Sequence, residues 1–277
     1  MEKRTGKDYL LVMGLSLFSW LILGTAVTVT LISVPLFQSG LGELLDHFVP
    51  YILFFLTVLV SARFLLHTSL LKLLNSKEIR WKYAQECFVL YFVGITLFTF
   101  LTSPTIVPSG YSWKEILLFL PFALVLLLMQ TLSEELFFRV LPCRMVYGEE
   151  TEMDWRTLPL ILSSAVLFLL PHLGNPEVLS SGTALFSILF YFLWGVFSMA
   201  LGLYAHGFEG IFAAHAANNL FVALLVNYQN SALPSRPLFL DTGETSSIKS
   251  LILILILFTL LWGLTYIENR RTKKEQS

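Results

Sequence analysis

The stretch EILLFLPFALVLLLMQTLSEELFFRVL, residues 115–141, joins a long apolar run to a charged sequence near its carboxyl end. The apolar part is long enough to cross the ~30 Å hydrocarbon core of a bilayer as a helix. Only helices and closed barrels satisfy their backbone hydrogen bonds in lipid, and barrel strands show a ten-residue alternation that is missing here. The stretch therefore predicts a transmembrane helix.

Seven further stretches of the chain have the same apolar character. Hydrophobic residues make up 56% of the 277 residues and charged residues 13%, whereas about 25% of a soluble domain is charged. We therefore predict an all-α fold, a polytopic transmembrane bundle of about eight helices. The predicted spans are 9–36, 47–67, 87–103, 115–141, 157–173, 184–204, 208–227 and 250–268.

The rest of the composition narrows the class of protein. No repeat of 20–50 residues and no low-complexity tract interrupts the chain, so residues 1–277 are predicted to form a single membrane-embedded domain. The first apolar stretch is too long for a signal peptide and is interpreted as a first span. A net charge of -1 argues against a nucleic-acid-binding surface. Cys87 and Cys143 have neither CxxC nor zinc-ribbon spacing.

The basic residues are distributed unevenly among the predicted loops. With eight spans, both termini lie on one side of the membrane, and the segments on that side hold 15 of the 18 lysines and arginines. Because cytoplasmic segments are enriched in Lys and Arg, the distribution predicts that both termini are cytoplasmic. The three basic residues left outside are Lys114, Arg236 and Lys249.

Ionisable residues within apolar spans are the candidates for function, because each costs at least ~2.5–3.5 kcal/mol at the centre of a membrane helix. In the fourth span, Glu135 and Arg139 are four residues apart and are predicted to pair, whereas Glu134 lies about 100° round the helix and can face another neighbour. His172 ends the fifth span. In the seventh span, His215 lies one turn from Asn219, with Asn218 as the alternative partner.

These groups can meet only if they lie at similar depths in the bilayer. We expect the fourth helix to continue past Arg139 to a point near Gly148, and the fifth to begin near Trp155. At 1.5 Å per residue, Glu134 and His172 then lie ~21 and ~26 Å above those helix ends, and His215 ~12 Å above Gly207. All three depths fall within the hydrocarbon layer.

A carboxylate, two imidazoles and a carboxamide suit the hydrolysis of an amide bond. A general base takes a proton from water, and positioned donors stabilise the oxyanion that develops on the carbonyl. The same groups could instead join helices by hydrogen bonds or line a transport path. Spacing alone does not decide between these interpretations, although a transporter is disfavoured because no inverted repeat is visible.

At these residues the sequence resembles the CAAX-processing and bacteriocin-processing (CPBP) family of membrane endopeptidases, which includes the type II CAAX prenyl protease. The family motifs EExxxR, FxxxH and HxxxN appear in order as Glu134–Arg139, Phe168–His172 and His215–Asn219. The resemblance covers about residues 131–222, the motif-bearing core. One departure is Val140, which stands where many relatives have glycine.

The resemblance implies an intramembrane endopeptidase and a role for each motif residue. Glu134 with His172 would activate water, His215 and Asn219 would stabilise the oxyanion, and Glu135 with Arg139 would support the site. The implied partners are the lipid bilayer and a peptide or membrane-protein substrate, prenylated substrates included. A catalytically silent scaffold or immunity protein of the same fold is the alternative function.

The role of a metal is left open by the sequence. Glu134, His172 and His215 would be an acceptable zinc set, but the HExxH motif is absent and a carboxamide is a poor zinc ligand. We therefore favour a metal-free site in which glutamate activates water, with zinc as the alternative. No other cofactor is predicted.

Overall fold

The computed structural model describes residues 4–32, 40–148, 153–179, 184–243 and 248–275. Helices dominate these residues, which confirms the predicted all-α bundle. The elements in chain order are α1 (Gly6–Phe18), a π-helix (Ser19–Leu23), α2 (Gly24–Ile32), α3 (Gly40–Phe64), α4 (Leu70–Leu74), α5 (Trp81–Thr102), β1 (Ile106–Pro108), α6 (Trp113–Glu135), a π-helix (Leu136–Val140), α7 (Leu141–Tyr147), a 3₁₀ turn (Trp155–Thr157), α8 (Leu158–His172), α9 (Pro176–Leu179), α10 (Ala184–Tyr204), α11 (Glu209–Leu220), a π-helix (Phe221–Leu225), β2 (Val226–Tyr228), β3 (Phe239–Asp241) and α12 (Ile248–Glu275).

Seven helices in the described part of the chain are long and apolar enough to cross a membrane. They coincide with seven of the eight predicted spans. The remaining prediction, 208–227, corresponds to the shorter apolar helix Glu209–Leu225, which is ~26 Å long at 1.5 Å per residue. The seven long helices are Gly6–Leu31, His47–Phe64, Trp81–Thr102, Trp113–Tyr147, Trp155–His172, Ala184–Tyr204 and Ile248–Lys274.

Many large apolar side chains on these helices point away from the protein. Leu97, Leu117 and Leu185 are each more than half exposed, although they lie on long apolar helices. In water such surfaces would promote aggregation, whereas in a bilayer they contact the lipid tails. The protein is therefore a multi-pass membrane protein.

The helix that carries the first motif runs to Tyr147, and Gly148 follows it with a φ of 75°. Glycine adopts this left-handed conformation without a steric penalty, which explains the helix end at this position. In the last turn of this helix, Arg144 Nη2 donates to the backbone carbonyl of Leu73 at 3.1 Å. The helix therefore continues past Arg139, as predicted.

The fifth helix begins as predicted. Asp154 caps its first turn, because the carboxylate accepts a hydrogen bond of 2.8 Å from the backbone N–H of Arg156. This position satisfies one of the backbone donors that a helix start leaves unpaired. The neighbouring acidic residues Glu149, Glu150 and Glu152 lie outside the described residues.

The described residues form two compact units. The first comprises Met1–Ile79 and Leu124–Glu150, and the second comprises Arg80–Ala123 and Thr151–Ser277. In the first unit, α1 and α2 pack on α3, and α1 also contacts α7. In the second, α11 packs on α5, α10 packs on α8, and α12 contacts both α5 and α10.

Small residues bring two helices of the second unit close together. A Cβ atom added to Gly195 of α10 would lie 2.5 Å from the Cα of Ala165 in α8. Such close approach is typical of membrane helices, where packing rather than the hydrophobic effect holds helices together. This contact fixes α10 against the helix that ends in His172.

The second unit also contains a small sheet that the sequence did not predict. Its strand order is β1-β3-β2, with β1 antiparallel and β2 parallel to β3. Asp241 of β3 accepts a hydrogen bond of 2.5 Å from the Thr105 hydroxyl. Partial burial raises the pKa of the Asp241 carboxyl. The hydrogen bonds from the Thr105 hydroxyl and the Gly243 N–H lower the pKa by a larger amount, so the net pKa lies below the usual value.

Candidate active site

The two carboxylates of the first motif have different partners. Glu135 Oε1 lies 3.0 Å from Arg139 Nη1, and both side chains are completely buried. Glu134 is 3% exposed, and its Oε1 accepts a hydrogen bond of 3.1 Å from Gln130. The ion pair predicted from the i,i+4 spacing is therefore present, and the neighbouring carboxylate faces a different group.

A π-helix, Leu136–Val140, begins directly after these carboxylates. The wider turn of a π-helix is frequent at functional sites. Aromatic contacts in the first unit hold it, with the Phe137 ring 5.5 Å from Phe54 and the Phe138 ring 6.3 Å from Trp20. Val140 is fully buried, so a side chain fits well at the position where relatives often have glycine.

The second motif fixes the ring of His172. Its Nδ1 lies 2.6 Å from the backbone carbonyl of Phe168. Because a carbonyl can only accept, Nδ1 carries the proton, and Nε2 of the neutral ring is then the proton-accepting nitrogen. The Phe168 ring also contacts the imidazole, with the centroids 4.3 Å apart.

The third motif lies on α11 in the second unit. His215 and Asn219 are each 5% exposed, and the alanines between them are buried. The His215 ring lies 6.0 Å from Phe168 and 5.3 Å from Trp194. Phe168 therefore contacts both motif histidines, which explains the use of a large flat side chain at the first position of FxxxH.

Asn218 connects the third motif to α5. The Tyr91 hydroxyl donates to Asn218 Oδ1 at 3.3 Å, and Asn218 Nδ2 donates to Asn219 Oδ1 at 3.2 Å. This relay fixes the orientation of the Asn219 amide. The Asn219 oxygen accepts from Asn218, so the Asn219 nitrogen points away from Asn218. Tyr91 also packs edge-on against Trp194 at 5.6 Å.

The site residues predicted from the sequence fall into both units. Glu134, Glu135 and Arg139 belong to the first unit, and His172, His215 and Asn219 belong to the second. In the second unit, the rings of His172 and His215 both contact the Phe168 ring.

The same residues bear on the question of a metal. Within the ranges that the structure describes, no three His, Cys, Asp or Glu side chains form a group that could hold a metal ion. His172 Nδ1 is engaged by a backbone carbonyl, an arrangement compatible with either water or a metal at the other ring nitrogen. No step below is assigned to a metal.

Two further residues near the second motif were not identified from the sequence. The Tyr191 ring stacks on His172 with the centroids 4.2 Å apart, and its hydroxyl donates to Glu177. Glu177 lies in a polar segment that also contains glycines and serines, a composition that normally predicts an exposed loop. The feature of the sequence that could have identified Glu177 is its position, five residues after the histidine of FxxxH.

A cavity of about 370 Å³ lies at the small sheet. The Arg236 guanidinium lies 4.9 Å above the Tyr111 ring at its wall. Burial, followed by the charge of Glu177, raises the pKa of the Tyr228 hydroxyl in the same wall. None of the motif residues lines this cavity, whose lining is Ser109, Tyr111, Asn227, Tyr228, Asn230, Ser231, Leu233, Ser235, Arg236, Pro237 and Leu240.

Comparison with known proteins bears on the three motifs. Residues 116–221 match the family model described as "Type II CAAX prenyl endopeptidase Rce1-like", and this segment contains all three. The chain is similar to the type II CAAX prenyl endopeptidases. The resemblance drawn from the motifs is thus confirmed, and the family match supports a protease-type function in the membrane.

A second comparison extends beyond the segment matched by the endopeptidase model. The chain is 26% identical over 245 residues to the "Uncharacterized protein YyaK" of Bacillus subtilis (strain 168), covering 82% of this chain and 77% of that protein. No solved structure gives a significant match.

Proposed function

We propose that this protein is an intramembrane endopeptidase in which Glu134, with His172, activates water and His215, with Asn219, stabilises the oxyanion. The observation that carries the proposal is the endopeptidase family match, which includes all the motif residues within 116–221. The buried carboxylates and imidazoles support it, because such groups are costly within a membrane and usually serve a function.

The water-activating step requires a base. Glu134 takes a proton from the water, whose oxygen then attacks the carbonyl carbon of the substrate, and the proton passes to the nitrogen that leaves. The Nδ1–H of His172 is held by the Phe168 carbonyl, so its Nε2 is suited to accept a hydrogen bond from the same water. No side-chain nucleophile is needed.

The oxyanion step requires donors in fixed positions. The Asn219 oxygen accepts from Asn218, so the amide nitrogen, which can only donate, is the atom assigned to the oxyanion. His215 is held against Phe168 and Trp194, so its ring needs little reorganisation during the reaction. Fixed donors of this kind stabilise a developing negative charge more than mobile ones.

Glu135 and Arg139 have a supporting role in the proposal. Their mutual ion pair lowers the cost of holding both charges within the apolar helix beside Glu134. The substrate is a peptide or membrane protein, and the family name points to prenylated CAAX peptides as the first class to test.

Both termini are cytoplasmic in this proposal. The 15 basic residues assigned to the inner side include Arg139, which is buried in an ion pair, and the other 14 support the orientation. An even number of crossings is required, so the shorter helix Glu209–Leu225 must also cross the membrane.

The activity can be tested before any substrate has been identified. The purified protein is reconstituted into vesicles with solubilised bacterial membrane proteins, and new protein N-termini are identified by mass spectrometry. We expect wild type to create termini that are missing with Glu134→Gln and with His215→Ala. Glu115→Gln, an exposed carboxylate at the start of the same helix, is the control. Identical termini for wild type and Glu134→Gln would favour the silent scaffold.

A matched pair of peptides then tests the substrate class. One ends in a CAAX sequence with a farnesylated cysteine, and the other has the same sequence without the farnesyl group. Cleavage of the farnesylated peptide alone supports a prenyl-protein substrate, and equal cleavage of both argues against one.

A further inference from the structure

The chain turns back directly after His172 and buries a carboxylate. Glu177 lies on the short helix α9 and is only 4% exposed. Its Oε1 accepts hydrogen bonds from the Tyr191 hydroxyl and, at 3.1 Å, from Asn175 Nδ2. Asn175 also donates to the Tyr191 oxygen at 3.0 Å, so these three side chains form a closed polar cluster.

Tyr191 joins this cluster to the second motif. Its hydroxyl is anchored by Glu177, and its ring stacks on the His172 imidazole with an interplanar angle of 33°. The backbone bond from Nδ1 to the Phe168 carbonyl opposes rotation about the last side-chain bond, and the stacked Tyr191 ring lies beside the same imidazole. The Tyr191 ring blocks that rotation only if the tyrosine itself cannot move.

We propose that Glu177, acting through Tyr191, is a positioning residue that holds the imidazole of His172 in its working orientation. This inference rests on the proposed function for the value of that orientation, but the orientation itself can be measured without cleavage. All the contacts that carry it lie within the second unit.

The use of a carboxylate here needs a reason, because burying one is costly. Glu177 Oε2 has no hydrogen-bond partner among the described residues, so simple packing would be better satisfied by a neutral side chain. The side chain offers an acceptor oxygen that an apolar side chain of similar size lacks, and this oxygen holds the Tyr191 hydroxyl in place.

The position of α9 is secured separately. The Ser187 hydroxyl donates to the backbone carbonyl of Glu177 at 3.0 Å, which ties α9 to α10 without involving the carboxylate. Ser187→Ala removes a buried hydroxyl that bonds the Glu177 backbone but none of the side-chain hydrogen bonds among Asn175, Glu177 and Tyr191. It is the matched control.

The first measurement is the NMR spectrum of the full-length protein in detergent, labelled with ¹³C at the Cε1 atom of histidine. The chain has five histidines, and the His172→Gln variant assigns the signal of interest. Because the Tyr191 ring current acts on His172, we expect this signal to move in Glu177→Ala and in Tyr191→Phe. It should stay close to its wild-type position in Glu177→Gln, which keeps an acceptor oxygen, and in Ser187→Ala.

The second measurement is cleavage of the farnesylated peptide and its unmodified counterpart. Glu177→Ala should lower kcat by about 10- to 100-fold with little change in KM, since a misplaced catalytic group reduces turnover rather than binding. In a His172→Gln background the same substitution should cause no further loss. Glu177→Gln should recover most of the activity.

Three results would overturn the proposal: an unmoved His172 signal in Tyr191→Phe, an unmoved signal in a folded Glu177→Ala, or an equal loss of kcat in the His172→Gln background. If Glu177→Ala does not fold, Tyr191→Phe decides the question, because it keeps the ring and removes only the hydroxyl. Failure of the proposed function would look different. His172→Gln would cleave normally, or wild type would cleave nothing, while the His172 signal still moved in Glu177→Ala and in Tyr191→Phe.

Discussion

Arg139 Nη1 lies 3.0 Å from Glu135 Oε1, and neither side chain reaches the protein surface. Removing one partner of such a pair leaves a buried charge and should cost ~3–5 kcal/mol. We therefore expect Glu135→Gln and Arg139→Gln each to be strongly destabilising, and the double substitution to cost less than the sum. Unfolding of the four variants in mixed micelles measures the coupling, and simple additivity would contradict the pairing.

The close contact between α10 and α8 leads to a prediction about packing. Gly195→Ala would place a methyl group 2.5 Å from the Ala165 Cα, and overpacking of this kind costs ~1–3 kcal/mol. Gly263 of α12 has nothing within 4 Å of the corresponding position, so Gly263→Ala is the matched control. The control should be neutral or stabilising by up to ~1 kcal/mol through helix propensity. Equal melting temperatures for both variants would show that the contact tolerates a methyl group.

Much of the fold was predictable from the sequence because lipid imposes a simple rule. A helix must be long and apolar to span a bilayer, so seven spans can be recognised from hydropathy alone. The predicted span 208–227 runs two residues past the helix end at Leu225, because Val226 of β2 continues the apolar run. The small sheet was missed because three-residue strands carry too little pattern to recognise.

The candidate site was predictable where its contacts are local. The Glu135–Arg139 pair follows from i,i+4 geometry within one continuous helix. The roles of Tyr91, Tyr191 and Glu177 depend on contacts between separate elements, and no local spacing encodes these. Tyrosines in a chain this rich in aromatic residues are not distinctive until the fold places them beside a motif.

The topology proposal can be tested by labelling single cysteines from each side of the membrane. Cys87 and Cys143 are buried and can be replaced by alanine. In that background, Glu78→Cys should react with a membrane-impermeant reagent only after the inner face is made accessible, and Lys114→Cys should react from outside. Both replaced residues are exposed. Labelling of position 78 in intact cells would reverse the orientation.

The relay from Tyr91 to Asn219 predicts a graded series of defects. Asn219→Ala removes the proposed oxyanion donor and should lower kcat by ~10²–10³ with little change in KM. Asn218→Ala and Tyr91→Phe remove only the support of that donor, so their losses should be smaller and should vanish in an Asn219→Ala background. If Asn218→Ala shows the large loss and Asn219→Ala does not, Asn218 is the donor.

The assignment of Glu134 as the base gives the sharpest prediction. Glu134→Gln preserves size and the hydrogen bond with Gln130 but cannot take a proton from water, so kcat should fall by at least ~10²–10⁴ while peptide binding survives. Glu115→Gln controls for the loss of a carboxylate from the same helix. Chelator is added in a parallel series. A glutamate-activated water predicts unchanged activity in chelator, whereas a zinc site predicts a loss that added metal restores. Full activity of folded Glu134→Gln on a peptide that wild type cleaves would refute the catalytic assignment, because no other change in the variant could supply the missing base.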